Sequence, residues 1–261
     1  MKTQRKVLFY GSIPKTEYES TKAFLTLLIP KLIERDIQII TREGTPNNDG
    51  SLAWLDNMVL DVACDYCARH HIDLMTDNKV ISYSLDGKEP STHKRCIINL
   101  PSSDRFSGYK RLMEKCDAVI GIGGAGGVYR FGLVAGATNH LFIPISIAKG
   151  DAAILAKELF EYLEKNYSAE LVDYITRSSF SEYEVVGLVN AICESINNTK
   201  PIKKEISKDD FIAYIEQPGK ISDLGFSDFI NILKKLPISW IISFLGLTLT
   251  VVVLFILQLI L

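Results

Sequence analysis

The densest run of chemically suggestive residues is Cys116-Asp117-Ala118-Val119-Ile120-Gly121-Ile122-Gly123-Gly124-Ala125-Gly126-Gly127-Val128-Tyr129-Arg130. An apolar stretch leads into glycines and then into a helical pattern. Glycine lets a backbone approach a ligand closely, and the start of a helix offers N–H groups to an anion. A phosphate-bearing ligand suits this pattern at Gly123, Gly124, Ala125, Gly126 and Gly127. The competing reading is a tight turn in which the glycines serve packing alone. Arg130 adds a planar fork of donors suited to phosphate, set against the ordinary fate of an arginine in solvent. A second glycine turn, Gly11-Ser12, closes the first apolar run. Gly44 and Thr45, with Asn47 and Asn48, form a polar loop after the second run, a place to read a ribose or a base.

Cys64, Cys67, His70 and His71 have the spacing C-x2-C-x2-H-H, which raises zinc. The same stretch, Ser51 to His71, has the periodicity of one amphipathic helix, with Leu55, Val59, Val62, Tyr66 and Cys67 on a shared face. Cysteines in that setting behave as small core residues, and no metal is expected. The five cysteines are an odd set that a reducing cytoplasm would keep as thiols.

These residues need elements to hold them. Apolar runs at Val7–Tyr10, Ile37–Thr41, Lys79–Tyr83, Cys96–Leu100, Ala118–Ile122 and Leu141–Ile145 read as strands. Helical patterns cover Thr16 to Leu32, a stretch from about Leu52, Ser107–Lys115, Val128–Ala137 and Ala152–Lys165, the last capped by Asp151. Strands alternating with helices predict βαβ units: an α/β, Rossmann-like parallel sheet with helices on both faces. Ligands of such sheets bind at the carboxyl ends of the strands, near a topological switch point.

The organisation expected is a ligand-sensing domain over 1–197, a linker with short amphipathic helices over 198–236, and a transmembrane helix over 237–261. From Ile238 to Leu261 the chain carries no Asp, Glu, Lys, Arg or His. At about 1.5 Å per residue this segment reaches roughly 36 Å, enough for a hydrocarbon core of ~30 Å. Lys234 and Lys235 before it, with Trp240 at the boundary, place the N-terminal domain on the cytoplasmic side of a single-pass inner-membrane protein, in contact with lipid. Ser239, Ser243, Gly246 and Thr250 fall on one stripe suited to helix association in lipid. The N-terminus lacks the apolar run of a signal peptide. With 29 basic and 31 acidic residues and a formal charge of -2, no basic field points to nucleic acid.

The pair VLFYGS and CDAVIGIGGAGG resembles the SLOG superfamily, which includes the LOG phosphoribohydrolases and the DprA/Smf proteins. The resemblance covers about Val7 to Lys165. It implies that the Gly-Ser turn and the glycine loop hold a nucleotide-derived ligand, a signal rather than a cofactor. LOG hydrolases carry PGGxGTxxE, whose glutamate takes part in cleavage of the N-glycosidic bond. Aligned on Gly123-Gly124-Ala125-Gly126, this chain places Arg130 at the glutamate, or Phe131 with the register slid by one. Of the arginine-lysine pair that completes the enzyme pattern, Arg105, Lys110 and Arg111 lie nearby and none maps onto it.

A SLOG domain without that glutamate is similar to the sensors of the Thoeris antiviral defence system. There a TIR-domain enzyme makes a cyclic ADP-ribose isomer, and the sensor receives it. The resemblance implies a homo-oligomeric receptor that binds such a second messenger and, through its attached segment, acts on the membrane in antiphage defence. Two rivals remain open. One is a membrane-tethered hydrolase of the LOG type, with a carboxylate supplied by Glu43 or Asp117; the other is a tail-anchored scaffold whose glycine loop is structural.

Overall fold

The computed structural model describes residues 4–42, 52–73, 77–84, 97–99, 111–137, 140–158, 163 and 167–198. In chain order the elements are β1 (Arg5–Pro14), a 3-10 turn (Lys15–Glu17), α1 (Tyr18–Glu34), β2 (Ile37–Arg42), β3 (Leu52–Trp54), α2 (Leu55–Arg69), β4 (Val80–Ser84) and β5 (Ile97–Asn99). Then follow β6 (Ala118–Gly123), α3 (Gly127–Ala137), β7 (Leu141–Ile145), α4 (Asp151–Glu158), α5 (Ala169–Ile175) and α6 (Glu182–Asn198).

The strands form one sheet in the order β5-β4-β2-β1-β6-β7, every neighbouring pair in that path parallel. Short β3 pairs antiparallel with the far end of β1, beyond the point where β2 stops. Helices lie on both faces, so β1, β2, β6 and β7 are apolar nearly throughout rather than alternating. Val7, Phe9 and Ile13 point into a core shared with α1, α2, α5 and α6. Leu8 and Tyr10 point the other way, into a core with Leu112, Val128 and Phe131. The alternation along β1 thus assigns each of its residues to one of two hydrophobic layers.

β2, β4 and β5 lie on one side of β1, and β6 and β7 lie on the other. The sheet therefore reverses its direction of growth between β1 and β6. Outside the carboxyl ends of these two strands is the crevice in which open parallel sheets place ligands.

The expectation of a membrane-crossing helix is corrected. Among the described residues no helix is long and apolar enough to cross a membrane, and the architecture there is an α/β parallel sheet flanked by helices. The longest, α1 and α6, have 17 residues each and turn charged groups such as Lys31 and Glu182 outward. At about 1.5 Å per residue they fall short of a hydrocarbon core. The segment 238–261 that carried the expectation lies outside the described residues, as does the linker beyond Asn198.

Three smaller differences concern the elements. Gly11 and Ser12 are not a turn: β1 runs on to Pro14, because its end finds a second partner in β3. The start of the helix expected from about Leu52 is that strand, and α2 begins at Leu55. Helices α5 and α6 were not among the expected elements, although Val185, Leu188, Val189, Ile192 and Ile196 recur at helical spacing; Leu171, Ile175, Leu188 and Ile192 hold them in the core with α1.

Candidate ligand crevice at the switch point

The two glycine signals, far apart in sequence, are neighbours in space. Tyr10 lies level with Gly121, Gly11 with Ile122 and Ser12 with Gly123. Just past the register the Gly124 N–H donates to the Ser12 carbonyl at 2.8 Å, which ties the glycine loop to the end of β1. Gly11 is needed for this approach: a side chain there would collide with the Ile122 carbonyl. Its role is therefore contact between strands.

Beyond β6 the backbone turns through Gly123, Gly124 and Gly126 with positive φ. Gly126, at φ 85, differs from the others, since a Cβ there would meet nothing within 4 Å. It faces open space, and its backbone demands glycine for conformation alone. Ala125 beside it is exposed. The N–H groups of Gly126, Gly127 and Val128 have no partner among the described residues. The next, that of Tyr129, donates to the Asp151 carboxylate at 3.0 Å.

Asp151 is thus a cap, but for α3 rather than for its own helix. It is 8% exposed, and its own N–H reaches back to the Gly124 carbonyl at 3.4 Å. A helix N-terminus carries roughly half a positive charge. A full carboxylate beside it more than offsets that, so the glycine loop alone is not an electropositive site.

On the other layer Tyr10 stacks on Phe131 of α3, ring centroids 4.7 Å apart. The guanidinium of Arg42, the last residue of β2, lies over the Tyr10 ring at 6.0 Å. A Cβ on Gly127 would stand 3.5 Å from the Tyr10 hydroxyl, so the tyrosine runs from Arg42 to the start of α3.

Asp56, in the first turn of α2, is 3% exposed and accepts the Arg42 N–H at 2.9 Å through Oδ1. Burial pushes its carboxyl up to about 7, against the lowering effect of that hydrogen bond and of the Arg42 charge. The hydroxyl of Thr41, fully buried next to Arg42, and the indole N–H of Trp54, two residues before Asp56, have no hydrogen-bond partner among the described residues. Sequence reasoning missed Asp56, Tyr10 and Asp151 as site groups. The one available cue for Asp56 was an acid on the face of a helix otherwise given to Leu55, Val59 and Val62.

Of the residues expected at the site, the structure brings Gly11, Ser12, Gly123, Gly124, Ala125, Gly126 and Gly127 together. Arg130 follows in the first turn of α3, half-buried, with its N–H bonded to the Gly126 carbonyl. Gly44, Thr45, Asn47, Asn48 and Glu43 lie outside the described residues. Asp117 is at the wrong end of the sheet: its carboxylate accepts the Lys6 N–H at 2.9 Å and faces Arg5 at 3.7 Å, where β1 and β6 begin. It cannot serve chemistry in a crevice at the strands' carboxyl ends. Among the described residues no group of His, Cys, Asp and Glu could hold a metal. Cys67 is buried in the core of α2, and His70 packs on Tyr66 at 4.3 Å.

No protein-family model matches the sequence, and a search of curated proteins finds no match.

Proposed function

We propose that this chain is a receptor domain for an anionic, nucleotide-derived ligand, bound in the crevice between the ends of β1 and β6. One observation carries the reading: two glycine segments more than a hundred residues apart are hydrogen-bonded at the switch point of a parallel sheet, with open space at Gly126. Gly124, Ala125, Gly126, Gly127 and Arg130 line the ligand, and Gly11 and Ser12 hold that loop against the end of β1. The sequence resemblance to SLOG sensors gives the ligand its class, a cyclic ADP-ribose isomer supplied by a TIR-domain enzyme in antiphage defence, received by a homo-oligomer.

The arginine at position 130, where LOG hydrolases hold glutamate, favours reception over catalysis. One observation favours the rival, a nucleotide phosphoribohydrolase. Asp56 is a buried carboxyl bonded to the end of β2, and its pKa of about 7 suits general acid–base work.

The test is thermal stabilisation of the full chain by cyclic ADP-ribose isomers, ADP-ribose, NAD and AMP, with the added compound analysed afterwards. A ligand that binds only the folded state raises Tm with its concentration. Stabilisation by a cyclic isomer recovered intact supports the receptor. Release of adenine from AMP, abolished in Asp56→Asn, transfers the case to the hydrolase, and no shift with any compound refutes both.

A further inference from the structure

We infer that Tyr167 is a latch on the outer edge of β7, where its hydroxyl stands in for a next strand and keeps a second copy of this chain from pairing there. The inference is independent of the crevice reading. Three observations carry it.

The first is need. Among the described strands β7 ends the sheet, and its residues, Leu141-Phe142-Ile143-Pro144-Ile145, are all apolar. A strand at a sheet edge offers its backbone groups to any other extended chain, and charged side chains are a common deterrent. β7 carries no charge, and short uncharged apolar strands are the ones most prone to pair. Its protection has to act on the backbone itself.

The second is the direction of that backbone. In a parallel ladder alternate residues of an edge strand turn both N–H and C=O away from the neighbouring strand. The N–H and the carbonyl of Phe142 both meet the Tyr167 hydroxyl, so Phe142 faces outward. His140, Pro144 and Ser146 share its parity. Each outward N–H of this series is occupied. That of His140 reaches the Ala135 carbonyl at 2.8 Å, that of Phe142 reaches Tyr167 at 3.1 Å, and that of Ser146 reaches the Ile175 carbonyl at 3.0 Å. Pro144 has no N–H to offer.

The third is the chemistry and support of the hydroxyl. A phenol can donate one hydrogen bond while it accepts another. Tyr167 accepts the Phe142 N–H and donates to the Phe142 carbonyl, the two bonds that an opposed strand residue would exchange with it. The Tyr167 N–H is tied to the Leu163 carbonyl at 2.8 Å. Ser168 beside it caps α5 by accepting the Leu171 N–H at 3.2 Å. Because α5 ends at Ile175, the segment 167–175 straps the edge at two places, Phe142 and Ser146.

The experiment follows amide hydrogen exchange and light scattering of the full chain in wild type, Tyr167→Phe and Ser168→Ala. In wild type the Phe142 amide should exchange about as slowly as that of Ile143, which faces β6. Tyr167→Phe keeps the ring and removes the hydroxyl. The ratio of Phe142 to Ile143 exchange should then rise about tenfold or more, the consequence of an amide left without its acceptor. Self-association below Tm, read as the initial rate of scattering, should rise severalfold over wild type and steepen with protein concentration. Ser168→Ala costs comparable stability through its lost cap but leaves the hydroxyl in place, so its scattering rate should stay within about twofold of wild type. Equal association in the two variants, or none above wild type in Tyr167→Phe, would overturn the inference. Fast exchange of Phe142 in wild type would overturn it as well, and that measurement requires no variant to fold.

Discussion

Asp56 gives the sharpest quantitative test of the fold's electrostatics. Asp56→Asn keeps the shape of the side chain and an oxygen for the Arg42 N–H, and it removes only the ability to ionise. The carboxyl titrates at about 7 in the folded chain against an ordinary 3.8. Between those values the folded state keeps a proton that the unfolded state has released. Stability from this group is therefore complete below 3.8, declines as pH rises toward about 7, and is gone above it. At about 1.4 kcal/mol per unit the gap is worth roughly 4 kcal/mol; water drawn in on ionisation reduces it toward about 2. The assay is urea unfolding of wild type and Asp56→Asn at pH 5, 6, 7 and 8, compared at equal m values. At pH 5 the wild type has already lost the share that lies between 3.8 and 5, so from pH 5 to pH 8 the difference should move in the variant's favour by the remaining share, about 2–3 kcal/mol. The difference should level off above the folded pKa. A difference that stays constant from pH 5 to 8 would refute the reasoning, since it would mean that Asp56 ionises as freely in the fold as in the unfolded chain.

Two further outcomes follow from the same geometry. Asp151→Asn keeps an acceptor for the Tyr129 N–H but removes the negative charge beside the start of α3, so pyrophosphate affinity measured by calorimetry should rise severalfold, while Tm falls by a few degrees at most. Gly126→Ala meets no neighbour, so its cost is backbone strain at φ 85, about 1–2 kcal/mol read as a lower urea midpoint.

Much of the fold was legible because burial on both faces leaves a strong mark. Ile37, Ile39 and Ile40, or Val119, Ile120 and Ile122, cannot be solvent-exposed, and alternation with helices then leaves few topologies. β3 was not legible. Leu52-Ala53-Trp54 is too short for a period, and it is a strand only because the end of β1 has an unpaired edge there. α6 was legible though not expected, since Val185, Leu188, Val189, Ile192 and Ile196 recur at helical spacing, whereas the seven residues of α5 are too few for a period to show. At the site, the glycine loop was visible as composition. Asp56, Tyr10 and Arg42 were not, since each acquires its role from a neighbour on another element: a β2 amide for Asp56, a β2 guanidinium for Tyr10, a β1 ring for Arg42.

The glycines show how far a motif can stand for a site. Gly11 is fixed by the Ile122 carbonyl opposite it, and a strand contact of that kind would need glycine in a protein that binds nothing. Gly126 is different. Its φ of 85 demands glycine, yet no atom of the described chain occupies the space that its missing side chain leaves. A fold that needed only a strand–helix connection could make it with its loop closed against a neighbour, as Gly124 is closed against Val128 and Asp151. Open space at one glycine, beside N–H groups that find no partner among the described residues, is a feature that the packing of those residues does not explain. The Asp151 carboxylate adds to this, because it satisfies the Tyr129 N–H of α3 while no group among the described residues takes the three N–H groups before it. Those three amides are donors that an anionic ligand in the crevice would satisfy.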